Sequence, residues 1–86
     1  MKHYKKVWPK YFQKILDGVK TYELRLADWE CKEDDILVLQ EWDLKTKNYT
    51  GRTVEKKITY ILKTKDLPFW PKAKVEKYGY QIISFK

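Results

Sequence analysis

This 86-residue chain has only one cysteine, Cys31, and one histidine, His3. A single thiol closes no internal disulfide, and the two residues together make no Cys/His zinc set, so neither a metal nor a cofactor is expected. Cys31 reads as a free thiol in a reducing compartment. No apolar run of signal-peptide length follows the basic N-terminus, and a cytoplasmic location is expected. No stretch approaches the ~20 apolar residues of a spanning helix, and no basic amphipathic helix is long enough to hold a lipid surface, so a membrane partner is not expected. Internal repeats, low-complexity segments and linkers are also missing. Residues 1–86 are expected to form a single domain, one that buries only about two-thirds of the unfolded chain's surface.

What is present argues for a folded, basic protein. Hydrophobic residues make up 43% and aromatics 16% of the chain, which outweighs the 36% of charged residues and excludes a disordered chain. The net charge of +7 is unevenly laid out. Residues 1–20 hold six Lys against one Asp, residues 21–43 two basic against eight acidic side chains, and residues 44–86 eleven basic against three acidic. Two basic segments therefore flank an acidic one. A basic excess of this kind favours phosphate-bearing partners through counterion release.

The hydrophobic pattern divides the chain into one helix and four or five strands. Residues 2–7 read as a short first strand. Pro9 suits the first turn of a helix, Phe12, Ile15 and Leu16 follow at helical spacing, and Gly18 supplies the stop. A strand is expected at 21–25 and a polar, acidic loop with a tight turn at 26–35. Four consecutive aliphatic residues, Ile36 to Leu39, open a strand over 36–42 that is buried on both faces at its start. After a polar turn over 43–49, a strand over 51–63 is long enough to need a bend or bulge. The prolines at 68 and 71 make 63–77 an irregular connection rather than a central strand, and a last strand covers 79–85. The fold class expected is mainly β (α+β): a small half-open barrel of about five mostly antiparallel strands with one helix near the N-terminus.

Function is sought first between Gly18 and Arg25, where Lys20, Glu23 and Arg25 place an ammonium, a carboxylate and a guanidinium within six residues of a helix-to-strand junction. If the strand begins at Thr21, Tyr22 and Leu24 face one side while Thr21, Glu23 and Arg25 face the other. The apolar pair then fits a core and the charged set a cleft. Glu23 and Arg25 stand ~7 Å apart along such a strand, with Lys20 entering from the turn. The spacing grips a polar planar ligand or pairs the charges with one another. Tyr49-Thr50-Gly51-Arg52 reads as a strand-entry turn, or as a second part of the site with Arg52 on a phosphate and Tyr49 at the rim. His3 fits a hydrogen-bonded structural role better than that of a general base. Trp8, Phe12, Tyr22, Trp42, Tyr60, Tyr80 and Phe85 are expected in the core; the loop residues Trp29, Tyr49 and Trp70 either cap the core or stack on unpaired bases.

Gly18-x-Lys20-x-x-Glu23-x-Arg25 fits the signature Gly-x-Lys-x-x-Glu-x-Arg, through which the chain resembles the ASCH superfamily. More closely, it is similar to the small DUF3850 family. His3, the helix before Gly18, Glu41-Trp42-Asp43, Tyr49-Thr50-Gly51-Arg52, Ile58-Thr59-Tyr60-Ile61-Leu62 and Gly79-Tyr80 fall in that family's order. The resemblance implies a PUA-like barrel and an RNA-related role. Its departures are Trp29 after Asp28, where an Arg is usual, and Asp34 at a turn position where Gly is usual; an Asp tolerates a left-handed turn.

The expectation is an RNA- or nucleotide-binding module whose site comprises Lys20, Glu23, Arg25, Arg52, Tyr49, Thr50, His3 and Trp29. A branch of the superfamily implies an alternative, an amidohydrolase acting on a modified nucleoside. In that reading Lys20 is the activated residue and Glu23 the acid/base, although Glu23 stands where that branch carries a Thr. A third reading is a protein-interaction module presenting the acidic 28–35 loop to a basic partner.

Overall fold

A computed structural model of the chain describes residues 1–67 and 79–86. The elements follow in the order β1 (Lys2–Val7), α1 (Pro9–Leu16), β2 (Tyr22–Leu26), β3 (Ile36–Asp43), β4 (Asn48–Lys63) and β5 (Tyr80–Phe85). The mainly β class with one helix near the N-terminus is thus observed. The expected irregular connection begins as a 3-10 turn at Thr64–Asp66, while the reading of Pro68, Trp70 and Pro71 falls outside the described residues.

Helix α1 begins where Pro9 takes the first turn, its missing N–H being one that no helix uses. Phe12 and Ile15, three residues apart, form its buried stripe and join Leu37 and Leu39 of β3 in the core. An eight-residue helix is marginal in water, so this packing is what holds it. At its end Gly18 adopts φ 77, the Gly18 N–H donates to Ile15 O at 3.1 Å and the Val19 N–H to Lys14 O at 3.0 Å. This is the Schellman arrangement, in which a left-handed residue satisfies the last carbonyls. The Lys20 N–H joins the same Lys14 carbonyl at 3.1 Å, so the cap aims the chain from the helix into β2.

The sheet order is β1-β3-β4-β5-β2. β1 pairs parallel with β3, and the remaining pairs are antiparallel. Lying between β1 and β4, β3 buries Leu37, Val38 and Leu39 in succession, as its unbroken aliphatic run requires. The 16-residue β4 pairs with β3 along its first part and with β5 along its last, and a register shift between Ile58 and Tyr60 supplies the bend or bulge that its length requires. In passing from one partner to the other, β4 carries the sheet round. The edge strands β1 and β2 come to face each other without closing a main-chain ladder. Asp34 sits at φ 76 in the turn before β3, the left-handed conformation expected at that position.

The face of β2 that points inward is the reverse of the one expected. Glu23 is buried, whereas Tyr22 and Leu24 are exposed. Register with β5 explains the inversion: Glu23 lies opposite Ile83, which is fully buried, while Tyr22, Leu24 and Leu26 lie opposite Ser84, Ile82 and Tyr80 on the outer face. The demand of Ile83 and Phe85 for the interior outweighs the hydrophobicity of the shorter β2. Trp8, Tyr60 and Tyr80, also expected in the core, are about half exposed, Trp42 is half-buried, and only Phe12 and Phe85 of the seven aromatics lie fully inside.

Candidate ligand-binding cleft

Lys20, Glu23 and Arg25 converge. Lys20 Nζ donates to Glu23 Oε1 at 2.6 Å and to the Tyr22 carbonyl at 2.6 Å, and Arg25 Nε donates to Glu23 Oε2 at 2.8 Å. The Glu23 side chain is only 6% exposed, against 14% for Lys20 and 27% for Arg25. A carboxylate so far from water needs a partner on each oxygen, and the two cations supply them. The sum is one net positive charge, with the cations nearer the solvent than the anion.

Arg25 Nη2 also donates to the main-chain carbonyl of Lys6 on β1. One side chain therefore ties the two edges of the sheet. Around that tie lies a cavity of about 460 Å³, lined by Lys6, Val7 and Trp8 from the end of β1, Tyr11 of α1, Lys20 from the cap, and Tyr22 to Arg25 of β2. Of Arg25's five N–H groups, those on Nε and one on Nη2 have protein acceptors among the described residues. The other three have no protein acceptor among the described residues. The rings of Trp8 and Tyr11 lie 6.3 Å apart at 33°, and Lys20 Nζ sits 4.7 Å from the Tyr22 ring centroid. The cleft thus joins hydrogen-bond donors to aromatic walls, a combination suited to a phosphate and a base.

Lys6, Trp8, Tyr11 and Tyr22 were not expected in the cleft. Trp8 precedes the helix-starting Pro9, and Tyr11 follows three residues later, so both rings leave the same side of the first helical turn. That spacing is the sequence signal that would have found the pair.

The other expected site residues form two further groups. Glu41, 4% exposed, accepts from Thr50 Oγ1 at 2.6 Å, from Arg52 Nε at 3.0 Å and from Arg52 Nη2 at 2.9 Å. Its carboxyl is held below the usual range by the Arg52 fork first and the Thr50 hydroxyl second. Arg52 also donates to Gln13 Oε1 at 3.3 Å and lies 5.0 Å from the Phe12 ring, fastening α1 to the sheet. Tyr49 packs its edge on Trp42 with centroids 4.9 Å apart, and Lys6 Nζ lies 3.8 Å from the Trp42 ring.

In the third group, His3 Nε2 and Asp35 Oδ2 lie 2.8 Å apart, and Asp35 also accepts from the Lys32 N–H at 3.1 Å. These bonds, the His3 one foremost, draw the Asp35 carboxyl down to about 2. The His3 ring lies 5.4 Å from that of Trp29, which packs against the core and carries Lys5 Nζ at 3.9 Å from its ring centroid. Burial, and then the neighbouring Arg25, pushes the Lys5 ammonium below the usual lysine range. Burial and the nearby Asp35 raise the Cys31 thiol, which makes it a poor nucleophile. Among the described residues no three His, Cys, Asp or Glu side chains converge on a metal position, and no helix is long and apolar enough to cross a membrane.

The profile of a domain of unknown function, DUF3850, matches this chain over residues 2–84. The chain belongs to the DUF3850 family. A relative from Escherichia phage P2, named as an uncharacterized 12.9 kDa protein in the GpA 3′ region, is 38% identical over 68 residues. That match covers 79% of this chain and 58% of the phage protein. The DUF3850 profile spans both edge strands and hence the whole cleft.

Proposed function

We propose that this DUF3850 domain is a nucleic-acid- or nucleotide-binding module that receives RNA in the cleft between β1 and β2. The observation that carries the reading is the Lys20–Glu23–Arg25 cluster, partly open to solvent and walled by Trp8, Tyr11 and Tyr22. Arg25 offers a planar fork and Lys20 a point charge to phosphate oxygens, while the rings supply stacking surface for an unpaired base. The +7 net charge adds a long-range attraction. The resemblance of the Gly18–Arg25 stretch to the ASCH superfamily, and through it to PUA-like RNA-binding domains, points the same way. The reading leaves Arg52 and Thr50 to hold Glu41, and His3 and Trp29 to close the core around Asp35.

Filter binding to single-stranded RNA, single-stranded DNA and duplex DNA at two salt concentrations tests it. Binding to RNA is expected to weaken steeply with salt, and Lys20→Ala and Arg25→Ala are each expected to lose about tenfold or more in affinity while keeping the circular dichroism of the parent. Wild-type RNA affinity in both variants would refute the proposal. Incubation with acylated nucleosides tests the hydrolase alternative, since turnover abolished by Lys20→Ala would favour an enzyme.

A further inference from the structure

The ladder between β2 and β5 fixes where the main chain of β2 points. The Phe85 N–H donates to Thr21 O at 3.0 Å and the Ala27 N–H to Gly79 O at 3.0 Å. The odd-numbered residues of β2 therefore make the hydrogen-bonded pairs with β5, and Tyr22, Leu24 and Leu26 turn their N–H and C=O groups to the opposite, open edge. Two observations agree with this assignment. Tyr22 O accepts from Lys20 rather than from a strand, and across the gap Lys6 O of β1 accepts from Arg25. Leu24 lines the cavity between these two side-chain contacts, and among the described residues neither its N–H nor its C=O has a protein partner.

We propose that the main-chain N–H and C=O of Leu24 read the Watson–Crick edge of one unpaired nucleobase. The inference rests on the nucleotide-binding reading of the cleft and adds which edge of the guest is read and by what. A donor and an acceptor side by side match the adjacent acceptor and donor that every base presents on that edge, which is already occupied in a duplex. An added peptide strand is a poorer fit. Only three residues of β2 face the seam, the carbonyl of the first is taken by Lys20, and the Arg25–Lys6 tie lies where a further strand would run. Leu26 lies outside the cavity lining, so within the cavity Leu24 is the one residue of β2 with both its N–H and its C=O on the open edge and free of a protein partner among the described residues. Trp8, Tyr11 and Tyr22 offer its stacking surface, Arg25 and Lys20 meet the flanking phosphate, and Glu23 behind them holds both cations in place.

The test uses eight-nucleotide single-stranded RNAs of adenosine, cytidine, uridine or alternating guanosine and uridine. The tightest binder is remade with a methyl group on N1 of its purines or N3 of its pyrimidines, and separately with 2′-O-methyl groups. Methylation of the Watson–Crick edge is expected to reduce affinity about tenfold or more, the 2′-O-methyl RNA to bind as the parent, and the Leu24 amide to shift and gain protection from hydrogen exchange on binding. Leu24→Pro, which removes an N–H aimed at an open edge, is expected to lose affinity while retaining the native thermal transition. Were Leu24→Pro not to fold, the methylated RNAs and the Leu24 amide of the unaltered protein would still decide. RNA that binds equally well with its Watson–Crick edge methylated and leaves the Leu24 amide unmoved overturns this inference and spares the proposed function. Failure of every RNA to bind overturns both.

Discussion

Glu23 sets the electrostatics of the cleft, because one buried carboxylate keeps two cations close together. Replacing it by Gln keeps the shape and removes the charge, leaving Lys20 and Arg25 without their shared counter-ion. Since both cations retain some solvent, the loss is expected below the 3–5 kcal/mol typical of a broken fully buried pair, at about 1–3 kcal/mol. Urea denaturation of Glu23→Gln against the parent measures it, and an unchanged midpoint would show the cluster to be only a surface feature. The convergence of Lys20, Glu23 and Arg25 was legible in the sequence because a turn and one extended strand suffice to bring them together. Which face of β2 carries them inward was not. The alternation Tyr22-Glu23-Leu24-Arg25 is equally regular in either phase, and the phase is set by Ile83 and Phe85, some sixty residues away along the chain. The same long-range choice put Tyr22 at the cleft rather than in the core.

At the scale of the elements, two glycines with positive φ invite contrasting outcomes. A Cβ on Gly18 would meet nothing within 4 Å, whereas on Gly79 it would lie 2.8 Å from Thr64 Oγ1 and 3.1 Å from the Lys65 nitrogen. Gly18→Ala therefore costs only the left-handed conformation, about 1–2 kcal/mol. Gly79→Ala adds a steric clash at the hydroxyl that accepts the Tyr80 N–H at 2.7 Å, for a total of about 2–4 kcal/mol. Thermal melts of the two variants should rank them in that order, and the reverse order would contradict the geometry. The elements themselves were well marked in the sequence: Pro9 and Gly18 bracket the helix, and the aliphatic run at Ile36–Leu39 identifies a strand covered on both faces. The pairing of those strands was less accessible. The parallel partnership of β1 with β3 and the change of partner along β4 depend on contacts between distant segments, which local alternation does not encode.

For the molecule as a whole, the depressed carboxyls predict acid lability. Asp35 titrates at about 2 in the folded chain against an ordinary 3.8, and Glu41 also lies below its ordinary 4.5. The unfolded chain thus binds more protons than the native one as the pH falls below these ordinary values, and stability falls with it. The contribution of Asp35 is complete above about pH 4 and disappears as the pH drops through about 2. Urea midpoints measured from pH 6 down to pH 2 should fall for the parent, and the gap between the parent and Asp35→Asn should narrow over the same interval; a gap independent of pH would refute the assignment. The tie between the two sheet margins is of a different kind. A ladder is undone several bonds at a time, but here a lone guanidinium grips a lone oxygen. On the proposed reading, a phosphate oxygen in the cleft would compete with the neutral Lys6 carbonyl for that guanidinium on favourable terms, and parting the two margins would then cost one hydrogen bond and no strand pairing.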